Sequence, residues 1–199
     1  SLHDALPIWQ PAKMAAFEGH WETGPAGLYL FGWVDEANQQ TSGVQIPGML
    51  SYVAKGDSGA TMQGLNDPEF KDALPPVNTV FQTYHAMVGI GFTLIGLSLA
   101  GTFYWWRGRL WETRWLLWLF VWAVVLPQAA NQLGWFSAEV GRQPWIVYGK
   151  MRTADAVSPL VKAPMVLTSV IVFTLIYLLL FVLFFYLLDH KIRTGPEDQ

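Results

Sequence analysis

Three long apolar runs constrain the fold of this 199-residue chain more than any other feature of its sequence. The last, residues 164–190, contains no Asp, Glu, Lys or Arg from 164 to 188. Residues 79–106 and 112–140 contain uncharged stretches of similar length. A helix needs about 20 such residues to cross the hydrocarbon core of a bilayer. The sequence therefore predicts an all-α membrane protein with three transmembrane helices, preceded by a long extramembrane loop.

Composition agrees with a membrane protein and removes several classes of function. Only 14% of residues are charged, against about a quarter in soluble domains. Cysteine is absent from the sequence, which excludes disulfides, thiolate metal sites and cysteine-ligated iron–sulfur clusters within this chain and leaves haem, flavin or quinone for redox chemistry. A net charge of −3 without a basic patch argues against a nucleic-acid partner. No Walker loop, GxGxxG or HExxH motif indicates nucleotide or zinc-hydrolase chemistry.

The regions outside the apolar runs complete the predicted organisation. Residues 1–8 lack the features of a signal peptide and resemble an arbitrary or foreign start. The other segments are an extramembrane loop at 9–78, an outer loop at 141–163 and a tail at 191–199. Five basic residues flank the helices on the side of residues 107–114 and the tail, and four lie in the 141–163 loop. The positive-inside rule then favours the outer side for residues 9–78 and 141–163.

Polar residues on the second predicted helix form one stripe, since they are spaced by three or four positions. They are Gln128, Asn131, Gln132, Trp135 and Glu139. Lipid tails offer no hydrogen-bond partners to amides or a carboxylate, so the stripe faces protein, water or a cofactor. The amides alone are equally explained by a helix–helix interface, whereas Glu139 at this depth indicates a proton route or a ligand. Arg142 follows and could pair with Glu139 or with an anionic group of a cofactor.

Two residues of the first predicted helix are candidates for a haem site. Met87 lies on a face that continues through small residues such as Gly91 and Gly101. A thioether is a known axial haem ligand, although a Met in an apolar helix also serves as ordinary core packing. His85 lies about 200° around the helix from Met87, so both cannot ligate one haem from the same side. A polar contact with a haem edge or a neighbouring helix is the simpler role for His85.

The predicted loop begins with a stretch that could bind a quinol. In QPAKMAAFEGHWET, Lys13 and Glu18 lie close to Trp21. A cation, an acid and aromatic rings can bind a quinol head group and accept its protons. An ordinary solvated loop explains the same residues, and their spacing does not separate the two interpretations.

The stretch GWFSAEVGRQPW, residues 134–145, resembles the signature of subunit I of the cytochrome bd quinol oxidases. Weaker matches follow the same order along the chain. QPAKMAAFEGHWET and VQIP resemble elements of that family's quinol-binding loop, MVGIG resembles the helix with its methionine haem ligand, and RTADAVSP is similar to the segment after GRQPW. The resemblance covers residues 9–190.

This resemblance implies a multi-pass enzyme of the bacterial inner membrane that oxidises quinol and reduces O2 to water with three haems, contributing to the proton gradient. Met87 would ligate a low-spin b haem, Glu139 a high-spin b haem, and Trp135 would lie between haem centres. Arg142, Gln143 and Trp145 would surround the haem groups, and the third haem would be of d or b type. Lys13 and Glu18 would bind the quinol. His85 stands where many members have an Arg.

The family subunit has about nine transmembrane helices, and the three predicted here resemble its last three. The chain therefore resembles a C-terminal fragment of the short-loop type, expected to be inactive alone. Its expected partners are the remaining helices of the same subunit, subunit II and a small accessory subunit. Two other functions fit the residues: a haem- or quinone-binding membrane anchor without oxygen chemistry, and a transporter in which Glu139 and Arg142 line a conduit.

Overall fold

The computed structural model describes residues 10–70, 74–158 and 160–195, so the predicted foreign start at 1–8 lies outside the described part. The chain divides into two compact units, Ser1–Asp155 and Ala156–Gln199. Helices and short strands of the first unit follow in chain order: α1 Pro11–Glu18, β1 Gly24–Pro25, β2 Leu28–Asp35, β3 Gln40–Ile46, α2 Met49–Lys55, β4 Thr61–Met62, α3 Val77–Trp106, α4 Arg114–Ala123, α5 Leu126–Val140, β5 Trp145–Val147 and β6 Met151–Arg152. The second unit contains α6, Ala163–Thr194.

Within the described residues, three helical segments are long and apolar enough to cross a membrane, which confirms the predicted fold class. They are α3, with 30 residues, the α4–α5 segment Arg114–Val140, with 27, and α6, with 32. Helix α6 has Pro164 in its first turn. Backbone N–H groups of the first turn have no acceptor within the helix, so a proline there costs no hydrogen bond. Lys191 and Arg193 lie in its last turn, where basic groups suit the negative end of the helix dipole.

The second membrane segment is interrupted near its middle. Helix α4 ends at Ala123 and α5 begins at Leu126. Pro127 causes this break, because its ring clashes with the carbonyl of the residue four positions earlier, which is Ala123. In the first turn of α5, Pro127 has no N–H that would need an intrahelical partner. The kink expected from the sequence is therefore a change of helix.

The loop before α3 folds as a small unit with its own core. Strands β2 and β3 form an antiparallel hairpin whose register shifts between Tyr29 and Phe31. Strands β1 and β4 form a second antiparallel pair. Apolar side chains of α1, β2, the first turns of α3 and the connecting segments are buried together: Ala15, Ala16, Phe17, Trp21, Val34, Leu65, Val77, Val80 and Phe81. The loop thus packs directly on the end of the first membrane helix.

Glycine allows close approach where α3 meets the other helices of the first unit. A Cβ on Gly134 of α5 would lie 2.5 Å from the Sδ of Met87. On α3 itself, a Cβ on Gly101 would lie 2.6 Å from the ring of Phe120 in α4. Small residues at such positions let helices pack closely in a membrane, where no hydrophobic effect drives them together.

Candidate functional site

The first three turns of α3 hold the outer edge of β2 through three side chains at positions i, i+4 and i+7. These positions lie on one face of a helix, and alternate residues of a strand present their backbone groups to the same edge. The side chain of Asn78 accepts from Val34 N–H at 3.3 Å, Gln82 donates to Gly32 O at 2.8 Å, and Nε2 of His85 lies 2.9 Å from Tyr29 O. Strict alternation from Val34 and Gly32 would present the backbone of residue 30 to His85. The register shift between Tyr29 and Phe31 presents the backbone of Tyr29 there instead.

Glu18 lies beside the last contact of this series. Its side chain is buried, and Oε2 accepts a 2.9 Å hydrogen bond from the N–H of Tyr29. The Nε2 of His85 lies 3.9 Å from the same oxygen. Burial raises the pKa of Glu18 from 4.5 to about 7, and the Tyr29 N–H opposes that rise. A carboxyl group with a pKa near neutrality can both take up and release a proton at physiological pH.

Aromatic rings surround the Glu18 carboxyl group. Phe17 stacks on Tyr84 with ring centroids 4.5 Å apart and an interplanar angle of 2°. A cavity of about 100 Å³ opens at this point, lined by Met14, Phe17, Glu18, Leu50 and Tyr84. Its wall is apolar apart from the carboxyl group and the phenol, as in sites that place a few polar groups in a hydrophobic setting.

Lys13 points to a different part of the molecule from Glu18. The two residues are five positions apart on α1, which separates their side chains by about 140°. Lys13 is buried against the end of α5, where a Cβ on Gly141 would lie 3.2 Å from its Cγ. Burial lowers the pKa of Lys13; Arg142 lowers it further and Glu139 opposes the effect. The structure therefore joins Lys13 to the GRQPW segment and leaves Glu18 with α3 and β2.

Glu139 and Arg142 form an ion pair at the end of α5, with one guanidinium nitrogen on Oε2 of the carboxylate. The side chains remain 42% and 36% exposed, respectively. A partly open carboxylate next to a buried lysine and an arginine is a strongly polar site where a membrane helix ends. It could bind an anionic group, because two cations, Lys13 and Arg142, interact electrostatically here.

The remaining residues of GRQPW bond within their own hairpin. Gln143 receives a 2.7 Å hydrogen bond from the Thr153 hydroxyl and lies 3.5 Å from Glu139 O through its amide nitrogen. The guanidinium of Arg152 lies 5.3 Å from the ring of Trp145. The peptide bond between Gln143 and Pro144 is cis. These contacts fix the segment that follows the Glu139–Arg142 pair.

Met87 lies at the interface of α3 and α5, with its thioether next to Gly134. A side chain on Gly134 would occupy the space of that thioether. A polarisable donor beside a position without a side chain fits an axial haem ligand. Met87 and His85 lie on different sides of α3, as the helical spacing predicts. In the described residues, no group of three His, Asp or Glu side chains could hold a bare metal ion.

The polar stripe of α5 faces away from α3. Gln128, Asn131 and Gln132 are exposed, and Trp135 is 63% exposed. The opposite side of α5, marked by buried Ser137, contacts the rest of the unit. The helix–helix interface considered for these amides is therefore absent between the described helices of this unit. In a membrane such amides need a protein, water or cofactor partner.

Sequence reasoning missed the contacts of α3 with β2. It assigned His85 a partner on a haem edge or a neighbouring helix, whereas the partner is a backbone carbonyl of the loop. One signal was available, since Asn78, Gln82 and His85 are polar at helical spacing where an apolar helix begins.

A second cavity, of about 250 Å³, lies beside His20, whose buried Nε2 has no hydrogen-bond partner within residues 10–70, 74–158 and 160–195.

Comparison with known proteins gives one consistent family. Residues 5–196 match the family model described as cytochrome bd terminal oxidase subunit I. The cytochrome bd ubiquinol oxidase subunit 1 of Bacillus subtilis is 36% identical over 94% of this chain and 42% of its own length. The cytochrome bd-II ubiquinol oxidase subunit 1 of Escherichia coli is 24% identical over 94% of this chain and 49% of its own length.

A solved structure agrees with these relatives. The bd oxidase from Geobacillus thermodenitrificans contains a chain that is 33% identical, with a TM-score of 0.75. The match covers 94% of this chain and 43% of that chain. The chain therefore spans less than half the length of the relatives it matches.

Proposed function

The chain belongs to the cytochrome bd terminal oxidase subunit I family, and on that premise we propose that it is the part of a membrane quinol:oxygen oxidoreductase that accepts protons from quinol. The single observation that carries the proposal is Glu18. It is a buried carboxyl group with a pKa of about 7, fixed by a backbone N–H and bordered by an apolar, aromatic cavity.

Quinol oxidation releases two protons and two electrons. Ionised Glu18 accepts a proton from a quinol hydroxyl. Because its pKa is raised to about 7, the carboxyl group can both accept and release that proton at neutral pH. The rings of Phe17 and Tyr84 contact the quinol ring, while Met14 and Leu50 exclude water from the carboxyl group. If the loop lies on the outer side, as predicted, release of the proton to that side would contribute to the proton gradient.

The residues at the far side of α3 fit haem groups in the complete enzyme. Met87 would hold a low-spin b haem through its thioether, and Glu139 would hold a high-spin b haem, with Trp135 between haem centres and a third haem of d or b type. Bound haems supply one-electron transfer and O2 reduction. Arg142 and Lys13 would offset negative charge of a bound haem group, and Gln143 and Trp145 would hold the GRQPW segment in place.

The remaining helices of the subunit, subunit II and a small accessory subunit are the proposed partners. The outward polar stripe of α5 supports this proposal, because its amides have no partners within the described part of the first unit. The complete complex would lie in the bacterial inner membrane.

Substitution of Glu18 in the full-length oxidase tests the proposed function. Glu18→Gln keeps the size and removes the base, so quinol-dependent O2 uptake should fall by at least about 100-fold. O2 uptake with an artificial one-electron donor, which delivers no proton to Glu18, should stay within about twofold. Glu22→Gln is the matched control, because Glu22 is an exposed carboxyl group in the same loop.

The outcome also separates the competing functions. Normal quinol-dependent O2 uptake in Glu18→Gln would contradict the role of Glu18. An assembled complex that binds haem but takes up no O2 with any donor would indicate a haem-binding anchor, and one that binds no haem would indicate a transporter.

A further inference from the structure

The backbone of one residue, Tyr29, joins Glu18 to α3. Its N–H donates to Oε2 of Glu18 at 2.9 Å, and its carbonyl oxygen lies 2.9 Å from Nε2 of His85. Tyr29 pairs with Gln45 of β3 beside the register shift, and the N–H and carbonyl of its backbone are directed out of the hairpin, towards Glu18 and His85. Its backbone therefore links the hairpin to both α1 and α3.

The ring of His85 is held firmly in its own helix. Nδ1 lies 2.9 Å from Phe81 O, one turn earlier on α3. The ring stacks on Phe81 with centroids 4.0 Å apart and meets Tyr84 edge-on at 5.3 Å. The two aromatic contacts hold the ring, so little conformational entropy remains to be lost when it bonds β2. A neutral imidazole carries one N–H, and the bond to Tyr29 O uses the tautomer with that hydrogen on Nε2.

We propose that His85 is a positioning residue for quinol oxidation: it holds the Tyr29 backbone so that the Tyr29 N–H orients the Glu18 carboxylate against the helix that carries Met87. This proposal rests on the proposed function of Glu18. His85 touches neither substrate nor haem in this role and acts through Tyr29. The same helical turn then fixes the proton acceptor and, two residues later, the proposed haem ligand.

Loss of His85 has two consequences by this route. The partly buried carbonyl of Tyr29 loses its partner, which favours displacement of the strand beside its register shift. The Tyr29 N–H then moves from Glu18, and that N–H is the group that opposes the rise of the Glu18 pKa. The titratable groups that face Glu18 from the elements packed against it are His85 and Tyr84 of α3 and Tyr29 of β2.

Variants of the full-length oxidase test this proposal. His85→Leu should lower kcat/KM for quinol about tenfold and move the acidic limb of its pH profile to higher pH by half a unit or more, because an unanchored Glu18 ionises less readily. His85→Gln should restore both values to near wild type, since its amide places an N–H donor at the same reach. The low-spin haem spectrum and O2 uptake with an artificial donor should stay unchanged.

Gln82→Leu provides the matched control. It removes a hydrogen bond of the same kind, from the same helix to the same strand, but at Gly32, three residues along β2 from the Tyr29 N–H that donates to Glu18. An unshifted pH profile in His85→Leu would overturn the proposal, and so would an equal shift in Gln82→Leu, which would indicate general docking of the loop. If His85→Leu fails to assemble with haem, His85→Asn, whose shorter amide cannot reach Tyr29 O, is judged by the same criteria.

The result is separable from the test of Glu18. Inactive Glu18→Gln together with wild-type behaviour of His85→Leu would leave the proposed function standing and remove the positioning role. Active Glu18→Gln would remove the function on which the positioning role depends.

Discussion

Buried titratable side chains in the loop set the chemistry that this chain can perform. Glu18 and Lys13 lie on one short helix, and burial shifts the pKa of each towards neutrality, upwards for the acid and downwards for the base. Their neighbours differ, because Glu18 faces an aromatic cavity and Lys13 faces a second cation and a carboxylate. Two residues that resemble a functional pair in sequence therefore have different surroundings, and they share one neighbour: the Nζ of Lys13 lies 5.7 Å from the ring of Phe17, which lines the Glu18 cavity.

The ionisation of Glu18 should reduce the stability of the folded oxidase above neutral pH. Its pKa is higher in the folded protein, at about 7, than its ordinary value of 4.5. The folded state thus binds the extra proton between these values, and stability falls as the pH rises through that range. Glu18→Gln removes the ionisation, so the variant should exceed wild type by on the order of 3 kcal/mol at pH 8 and by less than about 1 kcal/mol at pH 5.

Thermal unfolding of the purified complex at both pH values measures this difference. Glu22→Gln is the control, because it makes the same substitution at an exposed position of the loop. A stability gain of equal size at pH 5 and pH 8 would show that burial of the ionised form is not its cause.

At the scale of elements, the contact between α3 and α5 depends on Gly134. A Cβ there would come within 2.5 Å of the Met87 thioether, closer than atoms can pack, so the thioether would have to move. If Met87 ligates the low-spin haem, Gly134→Ala should shift or weaken the low-spin b band of the full-length oxidase in a reduced-minus-oxidised spectrum. Gly96→Ala is the matched control, because a Cβ on Gly96 meets no atom within 4 Å.

An unchanged low-spin band in Gly134→Ala would mean that the thioether can move without affecting the haem, which contradicts ligation by Met87. The same change in Gly96→Ala would indicate a general effect of adding methyl groups to these helices.

The sequence predicted elements that have strong local signals and missed those set by tertiary contacts. Uncharged runs predicted the membrane segments, and Pro127 predicted the disturbance between α4 and α5, because both effects follow from nearby residues. The loop gave only turn signals, yet it contains helices and a hairpin that pack on α3. Its hairpin edge is completed by Asn78, Gln82 and His85, whose partners lie 44 to 56 positions away in sequence.

The candidate site was predicted to a similar extent. Residue spacing predicted the stripe of α5 and the separation of His85 from Met87, since both follow from helix geometry. The proposed ligands and functions of these residues came from the family resemblance and not from their spacing. No local pattern could indicate that Lys13 contacts the end of α5. Such a contact depends on how α1 docks, and that is determined by burial of Ala16 and Phe17 against α3.

At the scale of the whole molecule, the predicted topology places the loop before α3 and the connection between α3 and α4 on opposite sides of a membrane. Asp57 lies in the loop before α3 and Glu112 between α3 and α4, and both are exposed. Because the chain has no cysteine, single cysteines can report on each side. In the full-length oxidase with any other cysteines removed, a membrane-impermeant maleimide should label Asp57→Cys in intact cells and Glu112→Cys only after permeabilisation.

The reverse labelling pattern would place the quinol site on the inner side and remove the proposed contribution of outward proton release. Labelling of both variants in intact cells would mean that α3 does not cross the membrane.

The attachment of β2 to α3 also has a consequence for biosynthesis. The hairpin of β2 and β3 is local in sequence and can close as soon as residue 46 has been made, within microseconds. Its outer edge cannot be completed until Asn78, Gln82 and His85 have been translated and α3 has entered the bilayer. During that interval an unpaired strand edge is open to other extended chains. Insertion of α3 is therefore the event that protects the nascent loop, and a slow or failed insertion exposes it to aggregation and proteolysis.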